Sequence, residues 1–186
     1  MRDLDSLLPA VRGVRAIVHL AWESHIENSG SHGSDPDNRL MFANVYRAAL
    51  QAGVPRVVMA SSVHADDFRQ HTGPPLRADR APRPQMPYGE SKVAMEARGR
   101  LHARQGLEGS CACRFGGVTH DERIPQDRRE ADASLTHRDC VAVIDRCLSA
   151  PSIPDRFVVL HAVSENPGRI HDLANPLGWE PVPGAP

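Results

Sequence analysis

The sequence predicts an α/β fold, a mostly parallel sheet flanked by helices. Three observations carry this. Four short apolar runs, RAIVHL (15–20), RVVMA (56–60), GSCACRF (109–115) and DRFVVLH (155–161), have strand length. They lack the polar alternation of a half-solvated sheet, as parallel strands covered on both faces do. Segments with helical spacing alternate with them, which argues for right-handed crossovers.

The first helix lies in DPDNRLMFANVYRAALQAG (35–53). Leu40, Met41, Val45, Ala48 and Ala49 are its apolar positions, and Gly53 suits its end. The second follows a tyrosine segment in SKVAMEARGRLHARQG (91–106), with Val93, Met95, Ala97 and Leu101 at mixed helical spacing and a stop at Gly106. The third lies in HRDCVAVIDRCLSAP (137–151), where Val141, Ile144, Cys147 and Leu148 form a stripe and Pro151 ends it. Two polar stretches interrupt this order. The proline-rich segment 64–87 reads as one long loop, and 119–134 as a second. Loops of that length are more often functional or disordered than ordinary. The turn-rich tail NPLGWEPVPGAP closes the domain, and there is no internal repeat.

The chain has 186 residues, enough for one sizeable core. Its 22 basic and 23 acidic residues leave a formal charge of -1, so nothing steers the surface toward nucleic acid or an anionic membrane. No apolar run approaches the roughly 20 residues that span a bilayer. The opening MRDLDSLL lacks a signal-peptide core. Cys111, Cys113, Cys140 and Cys147 form no CxxC pair, and the ten histidines show no compact ligand set with them. A reduced, cytoplasmic, metal-free chain is the simplest expectation.

The chemistry concentrates in QMPYGESKVAMEA (85–97). Tyr88 and Lys92 are four residues apart, on one helical face. Ser61 and Ser62 end an apolar run, Ser62 standing 26 residues before the tyrosine. A phenol is a poor base at its ordinary pKa of about 10. A neighbouring ammonium favours the phenolate and brings it toward a working range. Tyr88 can then take a proton from a substrate hydroxyl as hydride leaves the same carbon, while Ser62 holds the oxygen. Taken alone, YxxxK also fits an ordinary surface helix start.

These segments resemble the extended short-chain dehydrogenase/reductase family, also called the NAD-dependent epimerase/dehydratase family, and within it the uronate dehydrogenases. VRAIVHLA (14–21) is similar to a strand whose end lines the cofactor, RVVMASSVH (56–64) to the strand ending in the catalytic serine, and PYGESK (87–92) to the YxxxK motif. CRFGGV (113–118) is similar to the stretch after the next strand. LTHRDCV (135–141) and VVLHAVSENPGRIHD (158–172) are similar to uronate-dehydrogenase segments. The likeness runs from about Asp3 to Trp179.

The resemblance implies a Rossmann-type sheet and NAD as cofactor. It implies Ser62, Tyr88 and Lys92 as the catalytic set, with Lys92 also on the cofactor ribose. Asp3 resembles the acidic residue near adenine, and Leu20 and Ala21 the cofactor-lining turn. Asn38 and Asn44 match the asparagines of a helix motif that usually has glycine where Met41 stands. A helix-start cap is the plain alternative for Asn38. For the sugar acid, the resemblance implies Ser24, His64 and Arg129, with valine at position 63 where the subgroup has asparagine. Arg129 suits a carboxylate through two parallel hydrogen bonds. For Arg114 and His137 two readings stand side by side, a direct part in catalysis and a plainer role satisfying backbone carbonyls. Relatives pair through helices that include the tyrosine helix, so a homodimer is implied.

The family's glycine-rich phosphate turn, GxxGxxG, is not in this sequence. The expectation is a single, incomplete Rossmann-like NAD(P)-binding domain over 1–186, with 65–87 and 119–135 as substrate-side loops and weakened cofactor affinity. Three readings stay open on the sequence. They are a hexuronic acid dehydrogenase forming an aldarolactone, an epimerase, dehydratase or reductase of nucleotide-linked sugars, and an inactive remnant.

Overall fold

In the computed structural model, residues 1–23, 36–67, 71–119 and 131–182 are described. Four strands, β1 (Ile17–His19), β2 (Arg56–Ser62), β3 (Gly109–Phe115) and β6 (Phe157–Ala162), form one sheet in the order β1-β2-β3-β6. All three pairings are parallel. In register, Ile17 faces Val57, Val57 faces Ser110, and Ser110 faces Phe157. Every strand therefore ends at the same edge, where α/β sheets build their sites.

Side chains alternate across the strands and split the core into two layers. On one face Val57, Met59 and Ala112 pack with Phe42, Val45 and Tyr46 of α2 (Pro36–Ala52) and Met95 of α3 (Pro87–Arg104). On the other, Val58, Cys111, Cys113 and Leu160 pack with Val143 and Cys147 of α4 (His137–Ser149) and with Trp179. The thiols of Cys113 and Cys147 lie 3.7 Å apart in that apolar layer, and all four cysteines are free.

The helix limits have local causes. Proline stands at the first position of α2 and α3, where its missing N–H costs nothing. Gly53 ends α2 at φ +68, a conformation that favours glycine. Thr136 caps α4, its hydroxyl accepting the Asp139 amide at 3.2 Å.

Several expectations change. β1 spans three residues rather than six. β2 runs on through Ser62, so both serines belong to the strand. β6 begins at Phe157 because Asp155 and Arg156 take positive φ in a 3-10 turn, Pro154–Arg156. A helix, α1 (Leu4–Val11), precedes the first strand and carries Pro9 within it. A two-stranded parallel sheet, β4 (Gly117–Val118) with β5 (Ser134–Leu135), gathers the ends of the second polar loop. The first loop is tied down: Leu76 is fully buried and bridges His171, its amide donating to the Ile170 carbonyl at 2.7 Å. Among the described residues, no helix is long and apolar enough to cross a membrane.

Candidate active site

Ser62 ends β2 and Tyr88 opens α3. The Ser62 Oγ accepts the His64 amide at 3.2 Å, and the Ser62 hydroxyl is near enough to Tyr88 to act on its protonation. α3 approaches this closely because position 89 is glycine: a Cβ there would overlap the His64 carbonyl oxygen. The His64 ring stands edge-on to the Tyr88 ring, 5.7 Å between centroids.

One turn further along α3, Lys92 is only 3% exposed. Its Nζ donates to the Ala60 carbonyl at 3.1 Å and lies 3.8 Å from the centroid of Trp22, the latter a cation–π contact. The Tyr88 ring is farther, at 5.4 Å, and meets Trp22 edge-on at 5.3 Å.

Burial sets the charges here. It pushes Lys92 down to about 8, with Glu96 pulling the other way. It pushes His19, at the end of β1, down to about 4, and the Lys92 charge adds to that. It raises Tyr88 above the ordinary phenol value, opposed by the Ser62 hydroxyl. The expectation of a phenol lowered by the ammonium is thus corrected for the chain by itself. Desolvation outweighs the Ser62 hydroxyl, and the ammonium is turned toward Ala60 and Trp22.

Behind the cluster lies a buried ionic network. Arg114 grips Glu96 with two hydrogen bonds, Nε to Oε1 at 2.9 Å and Nη2 to Oε2 at 2.8 Å. Its Nη1 reaches Asp66 Oδ2 at 3.0 Å, and His161 Nε2 meets the same oxygen at 2.9 Å. Ser61 donates to Glu96 Oε1 at 2.5 Å. Burial alone would raise Asp66, but the His161 hydrogen bond and the Arg114 charge bring its carboxyl below the usual range. Among the described residues, Arg114 therefore pairs with the carboxylates of Glu96 and Asp66, touching neither the Ser62 and Tyr88 hydroxyls nor a backbone carbonyl. A cavity of about 900 Å³ reaches Glu96, Arg114, Arg100 and Phe157 but not Ser62, Tyr88 or Lys92.

Ser62, His64, Tyr88 and Lys92 thus come together. Leu20 and Ala21 follow β1 at the same edge of the sheet, Leu20 half exposed. Asn38 does not cap a helix. It lies buried in the first turn of α2, and its side-chain amide joins both backbone groups of Glu23, the N–H at 2.7 Å and the carbonyl at 3.0 Å. Asn44 donates to the carbonyls of Met1 and Arg2, and Met41 is buried. Asp3 is exposed and caps α1 through the Asp5 amide. Ser24 and Arg129 lie outside the described residues.

Sequence reasoning missed Trp22, His19 and Glu96. Glu96 had a signal, since Tyr88, Lys92 and Glu96 recur every four residues along one helix face. Lys92 had a stronger one: it is the only lysine in the chain. Among the described residues, no group of three or more His, Cys, Asp or Glu side chains is arranged to hold a metal ion.

Residues 1–115 match the model of the NAD dependent epimerase/dehydratase family. The chain belongs to that family. An L-arabinose 1-dehydrogenase (NAD(P)(+)) of Haloferax volcanii is 33% identical over 97% of this chain and 79% of its own length. A uronate dehydrogenase of Pseudomonas syringae pv. tomato is 30% identical over 89% of this chain and 58% of its own. A mutant uronate dehydrogenase from Agrobacterium tumefaciens, solved in complex with NAD, superposes with a TM-score of 0.80 at 25% identity, covering 97% of this chain and 66% of that one. The chain thus spans about three fifths to four fifths of the length of these relatives.

Proposed function

We propose that this chain carries the proton-transfer centre of a NAD-dependent dehydrogenase that oxidises the C1 hydroxyl of a hexuronic acid to an aldarolactone. The observation that carries the reading is the gathering of Ser62, at the end of β2, with Tyr88 and the buried Lys92 at the start of α3. Similarity to uronate and arabinose dehydrogenases supports the substrate class.

The residues fit the nicotinamide end of NAD. A buried cation, two hydroxyls and an aromatic ring meet at the carboxyl edge of a parallel sheet. Lys92 would hold ribose hydroxyls, Leu20 and Ala21 would line the ring, and Asn38 would keep their segment in place through Glu23. Asp3 would serve the adenine side. NAD, when bound, supplies the carbon that accepts hydride and a positive ring that favours the Tyr88 phenolate.

In the reaction the C1–H bond breaks with its electron pair and the hydroxyl proton passes to Tyr88. The C1 oxygen becomes the lactone carbonyl. Ser62 holds that oxygen by a hydrogen bond throughout, which orients the carbon for transfer. Lys92 keeps positive charge near the phenolate as it forms and is consumed. Ser24, His64 and Arg129 would bind the sugar acid, with Arg129 on its carboxylate. The segments 65–87 and 119–135 would belong to the substrate side.

The test is NADH formation when the chain is mixed with NAD and galacturonate, glucuronate, L-arabinose or a nucleotide-linked sugar. The reading expects NADH with a uronate and a lactone product. Turnover of a nucleotide-linked sugar without net NADH would replace it with an epimerase. NADH from arabinose alone would remove the role given to Arg129.

A further inference from the structure

We propose that Glu96, gripped by Arg114, is a positioning residue for the Ser62–Tyr88–Lys92 cluster: it anchors the Ser61–Ser62 end of β2 and sets the negative charge that Lys92 faces. The inference rests on the reading above for its purpose, not for its geometry.

The contacts tie five elements behind the hydroxyls. Ser61 on β2, Glu96 on α3, Arg114 on β3, Asp66 after the 3-10 turn Val63–Ala65, and His161 on β6 form one hydrogen-bonded chain. All are at most 6% exposed. Buried ion pairs stabilise little relative to well-packed apolar groups of the same size. Their worth lies in the geometry they fix, and here that geometry is local. Ser61 precedes Ser62, Glu96 follows Lys92 by one turn, and Asp66 follows His64 by two residues. Arg114 is suited to the task because its planar fork takes the Glu96 carboxylate with two bonds and leaves a third donor for Asp66.

The electrostatic part follows from who faces Lys92. From β1 comes His19, buried and neutral at ordinary pH. From β2 comes the Ala60 carbonyl. The segment after β1 supplies the Trp22 ring, and the 3-10 turn supplies His64, reached through the Tyr88 ring. On α3 itself stand Tyr88 and Glu96. Among these, Glu96 is the carboxylate acting on Lys92, and it opposes the effect of burial. Arg114 fixes how near that carboxylate stands and how much of its charge is neutralised.

The test uses the chain's single lysine. Lysine labelled with ¹³C at Cε gives one side-chain resonance, and its pH titration reads Lys92 directly, with or without turnover. The wild-type midpoint is expected near 8. In Glu96→Gln the midpoint moves to lower pH by at least about half a pH unit. Glu96→Asp, which keeps the charge but withdraws it, moves it less in the same direction and carries the test if Glu96→Gln does not fold. Asp66→Asn cuts the same network on the far side of Arg114 and leaves the midpoint in place. Wild-type titration in folded Glu96 variants would overturn the proposal. So would an equal displacement in Asp66→Asn, which would mean general loosening. A displaced midpoint in a chain that oxidises no uronate would keep the positioning role and reject the proposed reaction. An unmoved midpoint in an active enzyme would do the reverse.

Discussion

The Lys92 ammonium lies 3.8 Å from the centroid of the Trp22 ring, and both residues border Tyr88. A cation–π contact to a desolvated ammonium is worth about 2 kcal/mol. Trp22→Ala and Lys92→Met, singly and together, should therefore show a coupling of about 1–2 kcal/mol in urea denaturation. Additivity within about 0.3 kcal/mol would show that ring and ammonium are neighbours without mutual stabilisation.

Tyr88 and Tyr46 are the only tyrosines. Burial raises both phenols, Tyr46 further despite its 2.6 Å hydrogen bond with Ser110. Phenolate absorbance of the chain without cofactor should thus stay flat through neutral pH and rise only above pH 10. A phenolate appearing between roughly pH 7 and 8, and lost in Tyr88→Phe, would mean that Lys92 tunes the phenol unaided.

The fold was legible where burial leaves a mark on composition. β2, β3 and β6 are continuous apolar runs, and α2 and α4 end at glycine or before proline. It was not legible where an element is too short to show a period. β4 and β5 have two residues each, and α1 has eight with a proline inside. The site divides the same way. Tyr88 and Lys92 meet because of helix spacing, which sequence shows. Trp22 and Glu96 meet Lys92 and Ser61 through tertiary packing, which it does not. The desolvation of Tyr88 is tertiary in the same way: it comes from neighbouring segments and cannot be read from YxxxK.

Gly89 sits where α3 crosses the His64 carbonyl. Gly89→Ala should push the start of α3 away from the 3-10 turn. Overpacking of this kind costs about 1–3 kcal/mol. Tyr88, one residue earlier, moves away from Ser62 with it, so thermal stability and turnover should both fall. Unchanged stability would mean that the helix start is free to move.

Buried His19 and His171 have pKa values lowered to about 4 and about 3, burial being the main cause in each. The unfolded chain binds protons at both sites near pH 6.5, while the folded chain resists until much lower pH. The native state thus loses stability as pH falls from about 6.5 toward 4. The loss at pH 4 is on the order of 3 kcal/mol for each histidine. His171→Phe should flatten that acid limb in chemical denaturation across the window. An equally steep limb in the variant would place the acid sensitivity elsewhere.

Hydride transfer at a Ser62–Tyr88 pair is most directly tested by the rate of NADH formation from saturating NAD and uronate in wild type, Tyr88→Phe and Ser62→Ala. Loss of a positioned acid–base group costs about 10²–10⁴-fold. The account predicts a fall in kcat of that size for Tyr88→Phe and a smaller one for Ser62→Ala, with native circular dichroism in both. Uronate oxidation at the wild-type rate in a folded Tyr88→Phe chain would contradict it.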